Sequence, residues 1–225
     1  MAGYVTYTYE IKDAYKEIRL FAGDAKVSFE PSGDNETKLV VRQKKRRPYE
    51  FFVRDGVLIV CPIKRKWYHL LKIGMDRAEL RLFVPEQALE KISVKAGVGR
   101  VELGSIVCLG TVDVEMSMGK LFARSVACKS FTSVGNAGSV SLEQCTATES
   151  ISIKRNTGSV LLRDCSVPEI SVQTNTGRVS GRLSPNTVFV VRTNTGKIEV
   201  PKAAMGEVVC GRCQIKTNTG SVRFE

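Results

Sequence analysis

Residues Phe189–Val200 read FVVRTNTGKIEV, and much of the chain can be laid beneath them. Six further copies begin at Ile92 (ISVKAGVGRVEL), Val112 (VDVEMSMGKLFA), Phe131 (FTSVGNAGSVSL), Ile151 (ISIKRNTGSVLL), Ile170 (ISVQTNTGRVSG) and Cys213 (CQIKTNTGSVRF). Their glycines, Gly99, Gly119, Gly138, Gly158, Gly177, Gly196 and Gly220, fall at steps of 20, 19, 20, 19, 19 and 24 residues. Two places after each glycine stands an aliphatic residue (Val101, Leu121, Val140, Val160, Val179, Ile198, Val222), which marks an inward column. Each unit reads as strand, four-residue turn, strand. Glycine supplies the backbone freedom, and Asn136, Asn156, Asn175, Asn194 and Asn218 suit the left-handed region of a tight turn. A period of 19 to 20 residues with constant strand order is that of a solenoid whose neighbouring copies pair in parallel, so that the asparagines stack as an amide ladder.

The fold expected is all-β: a parallel β-solenoid of about seven to eight coils, with an N-terminal antiparallel β excursion as a cap. Residues 1–88 form the N-terminal region and 89–225 the repeat solenoid. Ile18–Phe29 fits the template with Ala25 in the glycine position, a degenerate first rung. Asp55-Gly56, between Tyr49–Val53 and Val57–Cys61, predicts a hairpin. The excursion spans residues 30–88 and is expected to be antiparallel throughout.

The TNTG turns, the VPEQALEKISV stretch from Val84 and the KWYH segment from Lys66 together resemble a bacterial β-strand-repeat family of unknown function, often labelled "putative adhesin". The resemblance covers nearly the whole chain and implies a parallel β-solenoid with no established enzymatic activity. One departure matters. The family usually carries aspartate after the turn glycine, whereas Arg100, Lys120, Ser139, Ser159, Arg178, Lys197 and Ser221 stand there in this chain, which removes the basis for an acidic ladder.

The net charge of +11 favours anionic partners and is shared between the two regions, with 17 basic and 12 acidic residues in 1–88 and 17 and 11 in 89–225. The column before the turn holds Lys95, Glu115, Val134, Lys154, Gln173, Arg192 and Lys216. Together the two flanking columns carry eight basic residues and one acidic. Arg100, Lys120, Lys154, Arg178, Arg192, Lys197 and Lys216 are therefore candidate contacts for an anionic polymer, a membrane surface or another protein, with no sequence-specific nucleic-acid reading. The alternative is a solvated face that discourages edge association. The runs Lys44–Arg47 and Lys64–Lys66, beside Tyr49, Trp67 and Tyr68, are a second basic patch.

Catalytic and cofactor motifs are not evident. His69 is the only histidine and has no fixed partner; packing beside Trp67 is the reading it supports. Cys210-Gly-Arg-Cys213 has the spacing of a zinc or redox half-site, but Cys213 occupies the core column of Ile92 and Ile170 and no second pair matches it. Seven cysteines without a secretory signal read as reduced thiols, and Cys108, Cys128, Cys145 and Cys165 recur at fixed phase as small inward hydrophobes. No apolar run approaches the roughly 18 residues of a membrane span, so the expected location is cytoplasmic. The two function classes are a non-catalytic binding or scaffold protein and a polysaccharide-cleaving β-helix enzyme. The second needs clustered carboxylates, and Asp113, Glu115, Asp164 and Glu169 do not share a repeat phase.

Overall fold

In a computed structural model, which describes residues 4–44, 49–63, 78–86, 89–184, 186–201 and 211–225, the described chain is strand and turn without helix. The N-terminal strands are β1 (Tyr4–Ile11), β2 (Glu17–Gly23), β3 (Lys26–Pro31), β4 (Thr37–Lys44), β5 (Tyr49–Arg54), β6 (Val57–Pro62) and β7 (Glu79–Val84). Three long strands follow, β8 (Leu89–Gly104), β9 (Cys108–Arg124) and β10 (Ala127–Glu143). The remainder are β11 (Thr146–Thr157), β12 (Val160–Cys165), β13 (Glu169–Thr176), β14 (Val179–Leu183), β15 (Thr187–Thr195), β16 (Ile198–Glu199), β17 (Gly211–Thr219) and β18 (Val222–Phe224).

Successive copies pair in parallel, in register and one repeat apart, from β8 with β9 through β10, β11 and β13. Period-2 alternation explains the interior. Ile92, Val94, Val112, Val114, Phe131, Ile151, Ile153, Ile170 and Val172 point in, with polar residues between them. After the glycine, Val101, Leu121, Val140, Val160, Val179 and Val222 are all at most 2 % exposed, and each such burial contributes roughly 1.5–3 kcal/mol. Ile198, at 43 % exposed, departs from the inward column because its coil ends the stack.

That coil is out of sequence order. The Cys213 copy inserts between the other two: β17 pairs on one side with β13 (Ile170↔Cys213) and on the other with β15 (Phe189↔Cys213), while β18 pairs with β14 and β16. Sequence order would have placed the Phe189 copy beside the Ile170 copy. The step of 24 residues from Gly196 to Gly220, against 19 from Gly177 to Gly196, supplies the length to pass back over one rung. Small Cys213 lies between Ile170 and Phe189, and the Phe189 and Phe224 rings meet at 4.9 Å across the end of the stack.

The bend at each glycine differs from a tight turn. In β8, β9 and β10 the strand runs through it without a break, and Asn136, Asn156, Asn175, Asn194 and Asn218 lie in extended strand, none of the five at positive φ. The glycine is demanded by the neighbouring rung. A Cβ on Gly119 would lie 1.9 Å from the Gly99 carbonyl oxygen, and one on Gly220 1.7 Å from that of Gly177. The true left-handed corners are elsewhere, at Ser105, Ser125, Gln144 and Asp164, with φ between 48° and 53°. They turn the chain onto a short third side bridged at Val107↔Ala127 and Thr146↔Ser166. Cys108, Cys128, Cys145 and Cys165 follow these corners and are buried.

At the N-terminal end β2 and β3 pair in parallel with β8, and Ala25 stacks over Gly99. The Asp55-Gly56 hairpin joins β5 to β6 with both turn residues at positive φ. The excursion is only partly antiparallel. β4 runs antiparallel to β1 and β7, but β6 and β7 lie parallel to β2 and β3 and so extend the stack by another layer. Alternation fixes this, since Leu58, Val60, Leu80 and Leu82 are inward and fully buried in the same manner as the repeat strands.

Candidate functional site

The columns before the glycine carry the site. In spatial order the outward column runs Val134, Lys154, Gln173, Lys216, Arg192, because the exchanged coil sets Lys216 directly between Gln173 and Arg192. The next column faces inward and runs Gly135, Arg155, Thr174, Thr217, Thr193. The exposed asparagines follow, with Asn156 Nδ2 donating to Asn136 Oδ1 at 3.2 Å and Asn194 Nδ2 to Asn218 Oδ1 at 2.6 Å. These three columns line one cavity of about 570 Å³. Its lining includes Lys154, Arg155, Lys216 and Arg192 and, among the described residues, no carboxylate.

Arg155 is the only charged side chain buried among the described residues, 4 % exposed. Gly135 makes the room for it: a Cβ there would sit 2.3 Å from Arg155 Nη1. Arg155 Nη2 donates to Ser133 Oγ at 2.7 Å and Nη1 to the Lys154 carbonyl at 3.3 Å. Burial pushes the guanidinium down to about 10, so it remains a cation at neutral pH. No carboxylate pairs with it among the described residues. Beside it, Thr174 and Thr217 are 5 % and 4 % exposed, and neither hydroxyl has a hydrogen-bond partner among the described residues. Thr193, the next in the column, is satisfied by the Gly220 and Thr195 carbonyls.

The sequence candidates divide accordingly. Lys154, Lys216 and Arg192 are exposed at the cavity and have no ion-pair partner among the described residues. Arg100 and Lys197 are tied to Glu102 and Glu199 beyond the glycine column. Lys120 and Arg178 are exposed on that far side, separated from each other by Ser139 and Ser159, so the column after the glycine is no continuous ridge. The glycines Gly99, Gly119, Gly138, Gly158, Gly177, Gly220 and Gly196 stack in that spatial order. Sequence reasoning missed Arg155, Thr174 and Thr217. The available signal was Lys154-Arg155, where a second cation falls on the inward phase of ISIKRNTG opposite Gly135. Cys213 is buried in the core strand, and burial pushes its thiol up to about 12. Cys210, Lys64–Lys66, Trp67, Tyr68, His69 and Lys45–Arg47 lie outside the described residues, as does the Lys44 side chain.

A stack of in-register parallel coils, bent at a glycine column and bearing its exposed polar side chains in rows, is the architecture of a bacterial repeat family. Residues 11–200 match the Toastrack DUF4097 family, and the chain belongs to it. Two solved structures share the fold. A "putative adhesin" from Bacteroides fragilis is 14 % identical with a TM-score of 0.54, covering 100 % of this chain and 98 % of its own. A second "putative adhesin", from Parabacteroides distasonis, is 12 % identical with a TM-score of 0.55, covering 98 % and 97 %. No curated protein matches the chain in sequence.

Proposed function

We propose that this protein is a non-catalytic β-solenoid binding or scaffold protein that holds an anionic polymer along the cation-lined cavity before its glycine column. One observation carries the reading: Lys154, Lys216 and Arg192 converge with buried Arg155 on a cavity that has no carboxylate among the described residues. With strands about 4.8 Å apart, Lys216 and Arg192 lie one rung apart and Lys154 two rungs, about 10 Å, from Lys216, so at low salt, where the Debye length exceeds about 10 Å, the three act together on a linear polyanion. The family relationship and the two adhesin-named structures are compatible with a surface-binding scaffold. In this reading the seven to eight coils of residues 89–225 and the first rung are the scaffold, and β1, β4 and β5 within 1–88 close its N-terminal edge. The rival reading, polysaccharide cleavage, draws no support from the carboxylates it would use. Asp113, Glu115 and Asp164 are each held in a separate ion pair, with Lys91, Lys95 and Arg182.

The test is binding at low salt to heparin, poly(glycerol phosphate) and single-stranded DNA. Wild type is compared with a K154E/R192E/K216E variant and with an R100E/K120E/R178E variant. All six positions are exposed, so both variants should fold. Loss of binding in the first variant and its retention in the second supports the reading. Equal binding by all three proteins would place the interaction elsewhere on the molecule.

A further inference from the structure

A buried cation without a counter-charge is expensive, since its hydration is lost and nothing opposite replaces it. Arg155 is in that position. Two of its N–H groups are engaged, by Ser133 and the Lys154 carbonyl, and the rest of the guanidinium fork makes no hydrogen bond among the described residues. The two residues that follow it in register, Thr174 and Thr217, line the same cavity and keep buried hydroxyls unpartnered. Natural interiors rarely leave such groups unsatisfied, and two unpartnered hydroxyls stacked beside a partly engaged guanidinium, all lining one opening, mark a place where something supplies acceptors.

We propose that the cavity over Arg155, Thr174 and Thr217 is a discrete site for one phosphoryl group, borne as a monoester on the polymer. The inference rests on the anionic-polymer reading and assigns its specificity. A phosphoryl group fits better than a carboxylate for two reasons. It has enough terminal oxygens to take the guanidinium donors and both threonine hydroxyls at once. Its charge approaching −2 is also closer to the four cations around the cavity, Arg155, Lys154, Lys216 and Arg192. The exposed lysines and Arg192 draw the polymer in by long-range attraction, while Arg155 and the threonines select the group. Asn156, Asn175 and Asn218 also line the cavity and are exposed, with amides able to contact the polymer beside that group.

Inorganic phosphate is the probe, titrated calorimetrically and by thermal shift at constant ionic strength, with acetate as the control anion. Wild type should be stabilised by phosphate and not by acetate. R155M, which keeps the bulk, should lose the effect. T174V/T217V, which keeps the shape, should bind phosphate roughly tenfold or more weakly, because two hydrogen bonds to a charged group are gone. Without phosphate the double valine variant should be at least as stable as wild type, an outcome that a purely structural role for the hydroxyls does not produce. Glycerol phosphate should compete with phosphate; failure to compete would sever the site from the polymer. A phosphate effect equal in wild type, R155M and T174V/T217V overturns the site. Polymer binding that is lost in K154E/R192E/K216E, with no phosphate effect in wild type, overturns the site and leaves the polymer reading standing. Absence of both overturns both.

Discussion

Replacing Gly158 by alanine puts the solenoid's central constraint under direct load. The added Cβ would lie 1.9 Å from the Gly138 carbonyl oxygen and 2.6 Å from its carbon, both backbone atoms of the preceding rung. Gly158 also sits at φ +142°, outside the range that alanine adopts. Holding alanine there costs roughly 1–3 kcal/mol. Relieving the overlap means parting the two rungs locally, which weakens the hydrogen bond between them from Val140 N to Ser159 O at 2.9 Å. At roughly 0.5–1.5 kcal/mol for that bond, the total loss is about 1.5–4.5 kcal/mol. Two other glycines separate the causes. Gly33 has open space and no positive φ, so G33A should be neutral; Gly23 has open space at φ +57°, so G23A should cost only the backbone component, roughly 1–2 kcal/mol. Chemical denaturation of the three variants should rank them G33A, G23A, G158A in rising cost. A G158A protein within error of G33A would refute the claim that the glycine column is fixed by contact between rungs.

Leu142 is fully buried mid-stack and Ile198 is 43 % exposed on the terminal coil. L142A should cost roughly 2–5 kcal/mol in denaturation, and I198A well under half of that. Cys108, Cys128, Cys145 and Cys165 are 2 %, 7 %, 2 % and 5 % exposed, so a thiol reagent should label them slowly in native protein and rapidly after denaturation; fast native labelling of all four would contradict their placement. Burial pushes Cys128 and Cys213 from 9.0 up to about 12. Because the folded value is the higher one, their contribution is complete below pH 9 and is lost as pH rises from about 9 to about 12. A pH series of melting temperatures should show that decline, and C128A/C213A should flatten it.

The repeat legible in FVVRTNTGKIEV carried the parallel stack, the inward columns and the glycine line, because in-register stacking makes each copy answer to the same neighbours. Three features were out of reach of the pattern for physical reasons. Coil order depends on how the chain returns after residue 200, and the seven units are too alike for the sequence to prefer one neighbour over another; only the step of 24 and the small Cys213 hinted at an exchange. The left-handed corners at Ser105, Ser125, Gln144 and Asp164 share a conformation but not a residue type, so no column announces them. Asparagine was assigned to those conformations on propensity, yet its place is in the extended strand, where the amide reaches the next rung. At the site, charge counting found Lys154, Lys216 and Arg192 but weighed the two flanking columns alike. Only the structure separates the side that gathers cations over a cavity from the side where Arg100 and Lys197 are neutralised by Glu102 and Glu199.

The central claim is that polyanions meet the cavity side of the glycine column, and the salt dependence of binding measures it most directly. Affinity for a fluorescent single-stranded oligonucleotide would be followed from low to moderate salt, for wild type, K154Q/R192Q/K216Q and R100Q/K120Q/R178Q. Each lost phosphate contact should reduce the slope of log K against log salt by roughly 0.7 for a single strand, so the cavity variant should lose about 2 from the slope. The far-side variant should keep the wild-type slope. Equal slopes in wild type and the cavity variant, or an equal loss in both variants, would contradict the account.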